Sequence, residues 1–332
     1  MSDTATVRKG WSWPLVLAFA VVYLSWGTTY LAMKLGVEVV PPFLFSGLRL
    51  TLAGLLILVF LAWRGVSLRV TRRELLFLTL TAIFFFMGGN GMLSLALMTI
   101  PSGLAAVIVS PTPLCVALLE LFIPWGDRLT WRGWLGLLLG FGGVVMLSAP
   151  KLGGTEIAMN WGLLFAFGST LTWAIGSLWT RHAPVSGSPF RIAGYQLFLG
   201  GLGLTLMGIA FGEGAQFTWA VWTPKIWFCF LYLLAVGSVA GFLAFNYVLA
   251  HSSTAMAGTY SYVNPVVALI VGALFDGEQI TLPVLGCMAL ILSGVALVRM
   301  GGVRTRVLVE VSVPGDSRVH LARPGVQPAG KR

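Results

Sequence analysis

The chain has 332 residues, of which 57% are hydrophobic and only 10% are charged, with a mean hydropathy of +0.89 and a net charge of +10. A water-soluble domain cannot bury that much apolar surface, because surface grows too quickly relative to volume. The composition therefore excludes a soluble fold and indicates that lipid surrounds most of the chain.

Ten apolar stretches follow in chain order, each close to the roughly 20 residues that a helix needs to cross a hydrocarbon core of about 30 Å. Backbone groups in lipid must be satisfied within their own segment, so we expect ten helices. The first stretch is longer than the core of a signal peptide, so we interpret it as an uncleaved span. The predicted spans are 14–34, 43–63, 74–97, 102–123, 131–149, 160–180, 190–212, 225–249, 254–275 and 283–300.

The chain contains two copies of one unit. Residues 24–55 realign onto residues 171–202 at a constant shift of 147, and later segments realign at shifts of 152 and 151. Five spans per copy is an odd number, so we expect the second copy to enter the membrane inverted, with a substrate site between the halves near the bilayer midplane. Matching pairs include Trp26 and Trp173, Lys34 and Arg181, Gly54 and Gly201, Gly89 and Gly241, Pro113 and Pro265, and Gly143 and Gly294.

The basic residues are distributed according to membrane topology. Of the 21 Lys and Arg residues, all fall in segments on one predicted side except Lys34, Lys151 and Lys225, and Arg49, which lies inside a span. The positive-inside rule then predicts a multi-pass protein of the plasma (inner) membrane with both termini cytoplasmic. Weak attraction to anionic membrane lipid is expected, and nucleic acid is not, because no basic face is interleaved with aromatic residues.

These patterns divide the chain into five parts. They are a cytoplasmic N-terminus at 1–13, a first five-helix repeat at 14–149, an outer linker at 150–159, a second, inverted repeat at 160–300, and a basic cytoplasmic tail at 301–332. The tail mixes small, polar and basic residues with prolines, so we predict that it is disordered.

Four segments carry a resemblance to a known family. They are SWGTTYLAMKLG at 25–36, PPFLFSGLRLTLAGLLIL at 41–58, PSGLAAVIVSPTPLCVALLELF at 101–122 and YVNPVVALIVGALFDGEQIT at 262–281. The chain resembles the EamA type of the drug/metabolite transporter superfamily over about 14–299. Two departures are Asp127, where Glu is commoner, and Gln196, which stands where the first half has Arg49.

The resemblance implies an all-α membrane protein in which ten helices form a basket around a central cavity. Spans 1, 3, 4, 6, 8 and 9 would line the cavity, and spans 2, 5, 7 and 10 would lie outside it. The family handles amino acids, sugars, nucleotide-linked compounds, cations and other metabolites, and many members look like exporters of amino acids or small metabolites.

Aromatic and amide side chains inside the spans are the candidate substrate-binding groups. Tryptophan and tyrosine offer walls on which a solute can stack, and asparagine supplies both donors and an acceptor. The alternatives are interface anchoring for the tryptophans and interhelical hydrogen bonding for the amides. The candidates are Trp26, Tyr30, Asn90, Trp173, Ser177, Asn246, Tyr260, Tyr262 and Asn264.

Prolines and charges within the spans form a second group of candidates. Pro111, Pro113 and Pro265 free backbone carbonyls and could act as hinges or be tolerated as packing. Lys34, Arg49, Glu120 and Arg181 are candidate coupling or gate charges. For Arg49 we expect a structural ion pair or a helix-end carbonyl partner, and for Glu120 the alternative to proton coupling is snorkelling or a pair with Arg128 or Arg132.

The sequence favours a secondary transporter that exports amino acids or similar small amphipathic metabolites by alternating access. No nucleotide-binding segment, cofactor site or metal motif is found, and an enzyme is disfavoured because no catalytic motif or pair of acids lies in the spans. A lipid or lipid-linked flippase is the nearest alternative, and a scaffold is the remaining one. A small-molecule substrate is the expected partner, and a monomer is the expected state.

Overall fold

The computed structural model describes residues 12–100, 102–123, 126, 128–152, 161–182, 185, 187–275, 281–301, 303–304, 306–311 and 319–324. Most of the predicted N-terminus, most of the linker at 150–159 and Asp127 lie outside the described residues. The helices are α1 Trp13–Val37, α2 Pro42–Trp63, α3 Arg72–Thr99, α4 Ser102–Val109, α5 Thr112–Glu120, α6 Trp131–Leu152, α7 Trp161–His182, α8 Pro189–Ala210, α9 Glu213–Gln216, α10 Pro224–His251, α11 Thr254–Gly258, α12 Tyr260–Phe275 and α13 Leu282–Gly301. A 3₁₀ turn lies at Trp219–Val221.

Seven of the helices in the described part of the chain are long and apolar enough to cross a membrane. They are α1, α2, α3, α7, α8, α10 and α13, and each overlaps a predicted span. Shorter apolar helices cover Leu104–Glu120 and Trp131–Leu147. The protein is therefore a multi-pass helical membrane protein, and the count of ten spans stays a prediction.

Helix starts follow from proline and capping residues. Pro42 and Pro224 begin α2 and α10, where the missing proline N–H has no intrahelical role. Thr71 caps α3 in a capping box, in which its Oγ1 accepts from the Glu74 N–H at 3.1 Å and Glu74 accepts from the Thr71 N–H at 2.8 Å. These caps set where each span begins.

Two long helices contain a π-helical segment in their middle. The segment in α3 is Ile83–Gly91 and the segment in α10 is Leu233–Ala240. Such wider turns are rare and often occur at functional sites. The two segments lie at corresponding places in the two predicted repeats, and the first contains the glycine-rich stretch around Asn90.

Glycines bring helices together in two pairs. α2 packs along α8, and α6 packs along α13. A Cβ on Gly47 would lie 2.6 Å from the Thr205 backbone nitrogen, and a Cβ on Gly294 would lie 2.5 Å from the Gly140 backbone nitrogen. These contacts are closer than any side chain allows, so the small residues fix both crossings, as is common between membrane helices.

Both prolines of the fourth predicted span lie at a break in the helix. α4 ends at Val109 and α5 begins at Thr112, with Pro111 between them. Pro113 has no N–H that could donate to the Val109 carbonyl. This carbonyl accepts a hydrogen bond from Thr112 Oγ1 at 2.6 Å instead. In the ninth predicted span the break falls earlier, at Thr259, and Pro265 lies inside α12.

Short strands form two antiparallel pairs. β1 Arg128–Leu129 pairs antiparallel with β2 Val303–Arg304, and β3 Arg306–Val311 pairs antiparallel with β4 Val319–Pro324. The run from Val307 to Val311 is rich in β-prone residues, and the disorder predicted for the tail as a whole stays a prediction.

Candidate functional site: a buried cavity between the helices

A cavity of about 100 Å³ lies inside the bundle. Residues of α1, α2, α3, α4, α7, α8, α10 and α12 line it, including both π-helical segments. The participation of α2 and α8 differs from the arrangement that the resemblance implied, in which spans 2 and 7 lie outside the cavity. The structure brings seven of the predicted residues to it, namely Trp26, Tyr30, Arg49, Asn90, Trp173, Tyr260 and Asn264.

Aromatic rings form one wall of the cavity. The ring centroids of Trp26 and Trp173 are 5.4 Å apart at an interplanar angle of 86°, and those of Trp26 and Tyr260 are 4.6 Å apart at 80°. Edge-to-face pairs of this kind are favourable beyond the area they bury. Phe86 and Phe242 extend the wall. The two tryptophans that the repeat aligned therefore meet at one site.

Each of these tryptophans packs on a glycine of the other half of the chain. A Cβ on Gly241 would lie 2.5 Å from Trp26 Nε1, and a Cβ on Gly89 would lie 2.9 Å from Trp173 Cε3. Trp26 Nε1 also donates to the Gly237 carbonyl at 2.9 Å. The glycines thus make room for the indole rings.

Arg49 brings a positive charge to the cavity. Its side chain is buried, and its Nη1 donates to Ser238 Oγ at 2.6 Å and lies 3.5 Å from the Leu233 carbonyl. The carbonyl partner belongs to a π-helical segment rather than to a helix end, and no described carboxylate pairs with Arg49. Ser238 was not predicted as a site residue, although Gly237 and Gly241 flank it much as glycines flank Asn90.

Four amide and indole atoms at the cavity have no hydrogen-bond partner among the described residues. They are Asn90 Oδ1, Trp173 Nε1 and both polar side-chain atoms of Asn264. The Tyr30 hydroxyl approaches Asn264 without forming a bond of ordinary geometry. Because buried polar groups are normally paired, these atoms are available to a ligand.

Three predicted residues lie away from the cavity and are bonded to backbone. Ser177 donates to the Trp173 carbonyl at 2.8 Å, Asn246 to the Phe242 carbonyl at 3.2 Å, and Tyr262 to the Leu137 carbonyl at 3.1 Å. Ser177 and Asn246 thus bond within their own helices, whereas the bond of Tyr262 joins α12 to α6. Pro111, Pro113 and Pro265 do not line the cavity either.

Lys34 and Arg181 hold equivalent positions at the ends of long helices. Lys34 Nζ lies 3.3 Å from the Leu97 carbonyl at the end of α3, and it pairs with Glu38 at 3.2 Å. Arg181 Nη1 donates to the Leu249 carbonyl at 3.1 Å near the end of α10. A cation is favourable there, because the last carbonyls of a helix carry partial negative charge.

Glu120 lies inside the helix bundle. Its side chain is buried, accepts from Thr254 Oγ1 at 3.0 Å and lies 3.9 Å from His182 Nε2. Arg128 donates to the Ile123 carbonyl, and Arg132 lies over the Trp131 ring. The predicted pair with either arginine is therefore not formed.

The described residues contain no group of three or more His, Cys, Asp or Glu side chains that could hold a metal ion.

The family model described as "EamA-like transporter family" matches residues 13–149 and again residues 160–300. The chain belongs to the EamA-like transporter family. This family is named for transporters, which points away from an enzyme.

Several relatives of this EamA-like chain are named as transporters. The "Uncharacterized inner membrane transporter YedA" of Escherichia coli K12 is 31% identical over 290 residues, which covers 87% of this chain and 91% of the relative. The "Uncharacterized transporter YvbV" of Bacillus subtilis is 26% identical, covering 86% and 90%. The "Probable amino-acid metabolite efflux pump" of Salmonella typhimurium is 26% identical, covering 88% and 96%.

A solved crystal structure shares the fold of this EamA-like chain. It superposes with a TM-score of 0.69 at 25% sequence identity, covering 85% of this chain and 95% of the other.

Proposed function

We propose that the protein is a secondary transporter that exports amino acids or similar small amphipathic metabolites by alternating access. The observation that carries the proposal is the buried cavity between α1, α3, α7 and α10, which combines an aromatic wall with unpaired polar atoms. Such a mixture suits a solute with an apolar body and a polar head. The relative named as an amino-acid metabolite efflux pump supports the same substrate class.

The transport cycle follows from two inverted five-helix halves that meet at the cavity. Rocking one half against the other would open the same site to each side of the membrane in turn. In this arrangement the protein has ten spans, works as a monomer and keeps both termini in the cytoplasm. The two π-helical segments flank the cavity and are the places where α3 and α10 can flex.

The test is counterflow of radiolabelled amino acids into liposomes that contain the purified protein, with and without a pH gradient. Saturable uptake of one class is expected, and its response to the gradient separates proton coupling from exchange. Trp173→Ala and Asn264→Ala should abolish flux while the protein still inserts. Leu292→Ala, on the exposed face of α13, is the matched control and should transport normally. Unchanged flux in both cavity variants would contradict the proposal.

A further inference from the structure

The cavity contains a buried positive charge that no described acid neutralises. The Arg49 side chain is only 3% exposed, and its Nε has no hydrogen-bond partner in the described part of the chain. The residues that line the cavity include no Asp or Glu. An arginine stays charged even when buried, and an unpaired charge in a low-dielectric site is costly.

The described acids of the helical bundle are engaged elsewhere. Their partners are Lys34 for Glu38, the Thr71 backbone for Glu74, Thr254 for Glu120, and the backbone N–H groups of Phe43 and Leu44 for Glu213. None of these four acids lines the cavity. The counter-charge for Arg49 must therefore come from outside this set, and a ligand in the cavity is the group placed to supply it.

We propose that Arg49 binds the carboxylate of the transported solute, and that the solute needs no ammonium group. The inference rests on the proposed transport function and narrows its substrate class to organic acids with an apolar or aromatic body, with or without an amino group. An ammonium group would meet only neutral acceptors, such as Asn90 Oδ1, and ring faces. The carboxylate meets a full positive charge.

The geometry around Arg49 suits this role. Ser238 holds Nη1, which fixes the plane of the guanidinium and leaves the Nε–H edge free. A planar guanidinium with a free edge is the preferred protein group for a carboxylate. Trp173 and Trp26 supply a wall for the body of the solute. The cavity of about 100 Å³ is smaller than the roughly 150 Å³ that holds benzene, so a solute with a ring requires the cavity to widen on binding.

The test compares four probes that share one ring, using the purified full-length protein in detergent. The probes are 3-phenylpropionate, L-phenylalanine, 3-phenylpropionamide and 2-phenylethylamine, and binding is followed by tryptophan fluorescence and by thermal stabilisation. We expect both carboxylates to bind at least tenfold more tightly than the amide and the amine. Arg49→Gln should remove this preference, whereas Arg49→Lys should keep it at reduced affinity, because only the charge is retained.

Controls separate a binding role from a structural one. Arg64→Gln removes an exposed arginine and should leave the preference intact. If Arg49→Gln does not fold, the ratio of carboxylate affinity to amide affinity is compared between the wild-type protein and Arg49→Lys. That comparison then decides whether Arg49 binds the carboxylate. Equal binding of amide and acid, or no binding of either carboxylate, overturns the inference.

Liposome flux with the same probes distinguishes this inference from the proposed function. Binding of carboxylates without saturable flux would uphold the role of Arg49 and refute transport. Saturable flux of the amide or the amine, unaffected at Arg49, would uphold transport and refute the inference.

Discussion

At the scale of single residues, the contact between Trp26 and Gly241 joins the two halves of the chain at the cavity. A methyl group at position 241 would lie 2.5 Å from the indole nitrogen, which would have to move and release its bond to Gly237. We expect Gly241→Ala to lower the free energy of unfolding by about 1–3 kcal/mol through overpacking. Thermal unfolding of the purified protein measures the loss of stability, and tryptophan fluorescence reports the displacement of the indole ring.

The matched control for this change is Gly142→Ala on α6. Nothing lies within 4 Å of a Cβ built at Gly142, and alanine is the better helix former. This variant should be as stable as the parent or slightly more so. If the two alanine variants unfold alike, the packing of Trp26 on Gly241 does not limit stability.

The bond from Thr254 to Glu120 is a second feature at the residue scale. It joins α11 to the end of α5, and both side chains are buried. Thr254→Val keeps the shape but leaves the carboxylate without this donor, so we expect a loss of about 1–3 kcal/mol in the free energy of unfolding. Thr254→Ser keeps the hydroxyl and should remain close to the parent. Equal thermal stability of the Val and Ser variants would show that the bond contributes nothing.

At the scale of helices, the crossing of α6 and α13 depends on glycine. A Cβ on Gly294 would lie 2.5 Å from the Gly140 nitrogen and 2.6 Å from the Gly136 carbonyl oxygen, and backbone cannot yield as a flexible side chain can. Gly294→Ala should therefore push the helices apart and cost about 1–3 kcal/mol. Gly286→Ala, on the same helix with nothing within 4 Å, is the control. A Gly294→Ala protein that unfolds at the parent's temperature would refute this account of the crossing.

The helices were predictable from sequence to different degrees. Uninterrupted apolar runs such as 43–63 coincide with α2, because length and hydropathy alone determine a span. The stretch 102–123 was predicted as one span, whereas the structure divides it at Pro111, since proline interrupts the hydrogen-bond ladder. The π-helical segment around Asn90 was visible only as a glycine-rich run, because hydropathy does not report a change in helical pitch.

The sequence predicted how far along the helices the site residues lie, but not which way their side chains point. The repeat alignment placed Trp26 and Trp173 at equal depths, and the structure brings them together. Ser177 lies one turn from Trp173, yet its hydroxyl returns to the Trp173 carbonyl, as serine commonly does in apolar surroundings. The position of Arg49 at the cavity depends on how α2 packs against the π-helical segment of α10, which no local pattern encodes.

At the scale of the whole molecule, an inverted duplication requires equivalent loops to face opposite sides of the membrane. The segment after α2 and the segment after α8 are equivalent in the predicted repeats. Ser67 and Ala215 are exposed positions in these segments. The positive-inside rule places the first, which is rich in arginine, in the cytoplasm and the second outside.

Single cysteines at these positions test the arrangement in a background that lacks Cys115, Cys229 and Cys287, which are free thiols. In intact cells, an impermeant maleimide should label Ala215→Cys but should label Ser67→Cys only after permeabilisation. A parallel duplication would expose both cysteines to the same side, because its halves would have the same orientation. Labelling of both from one side would therefore refute the inverted arrangement, and with it the alternating-access cycle built on two opposed halves.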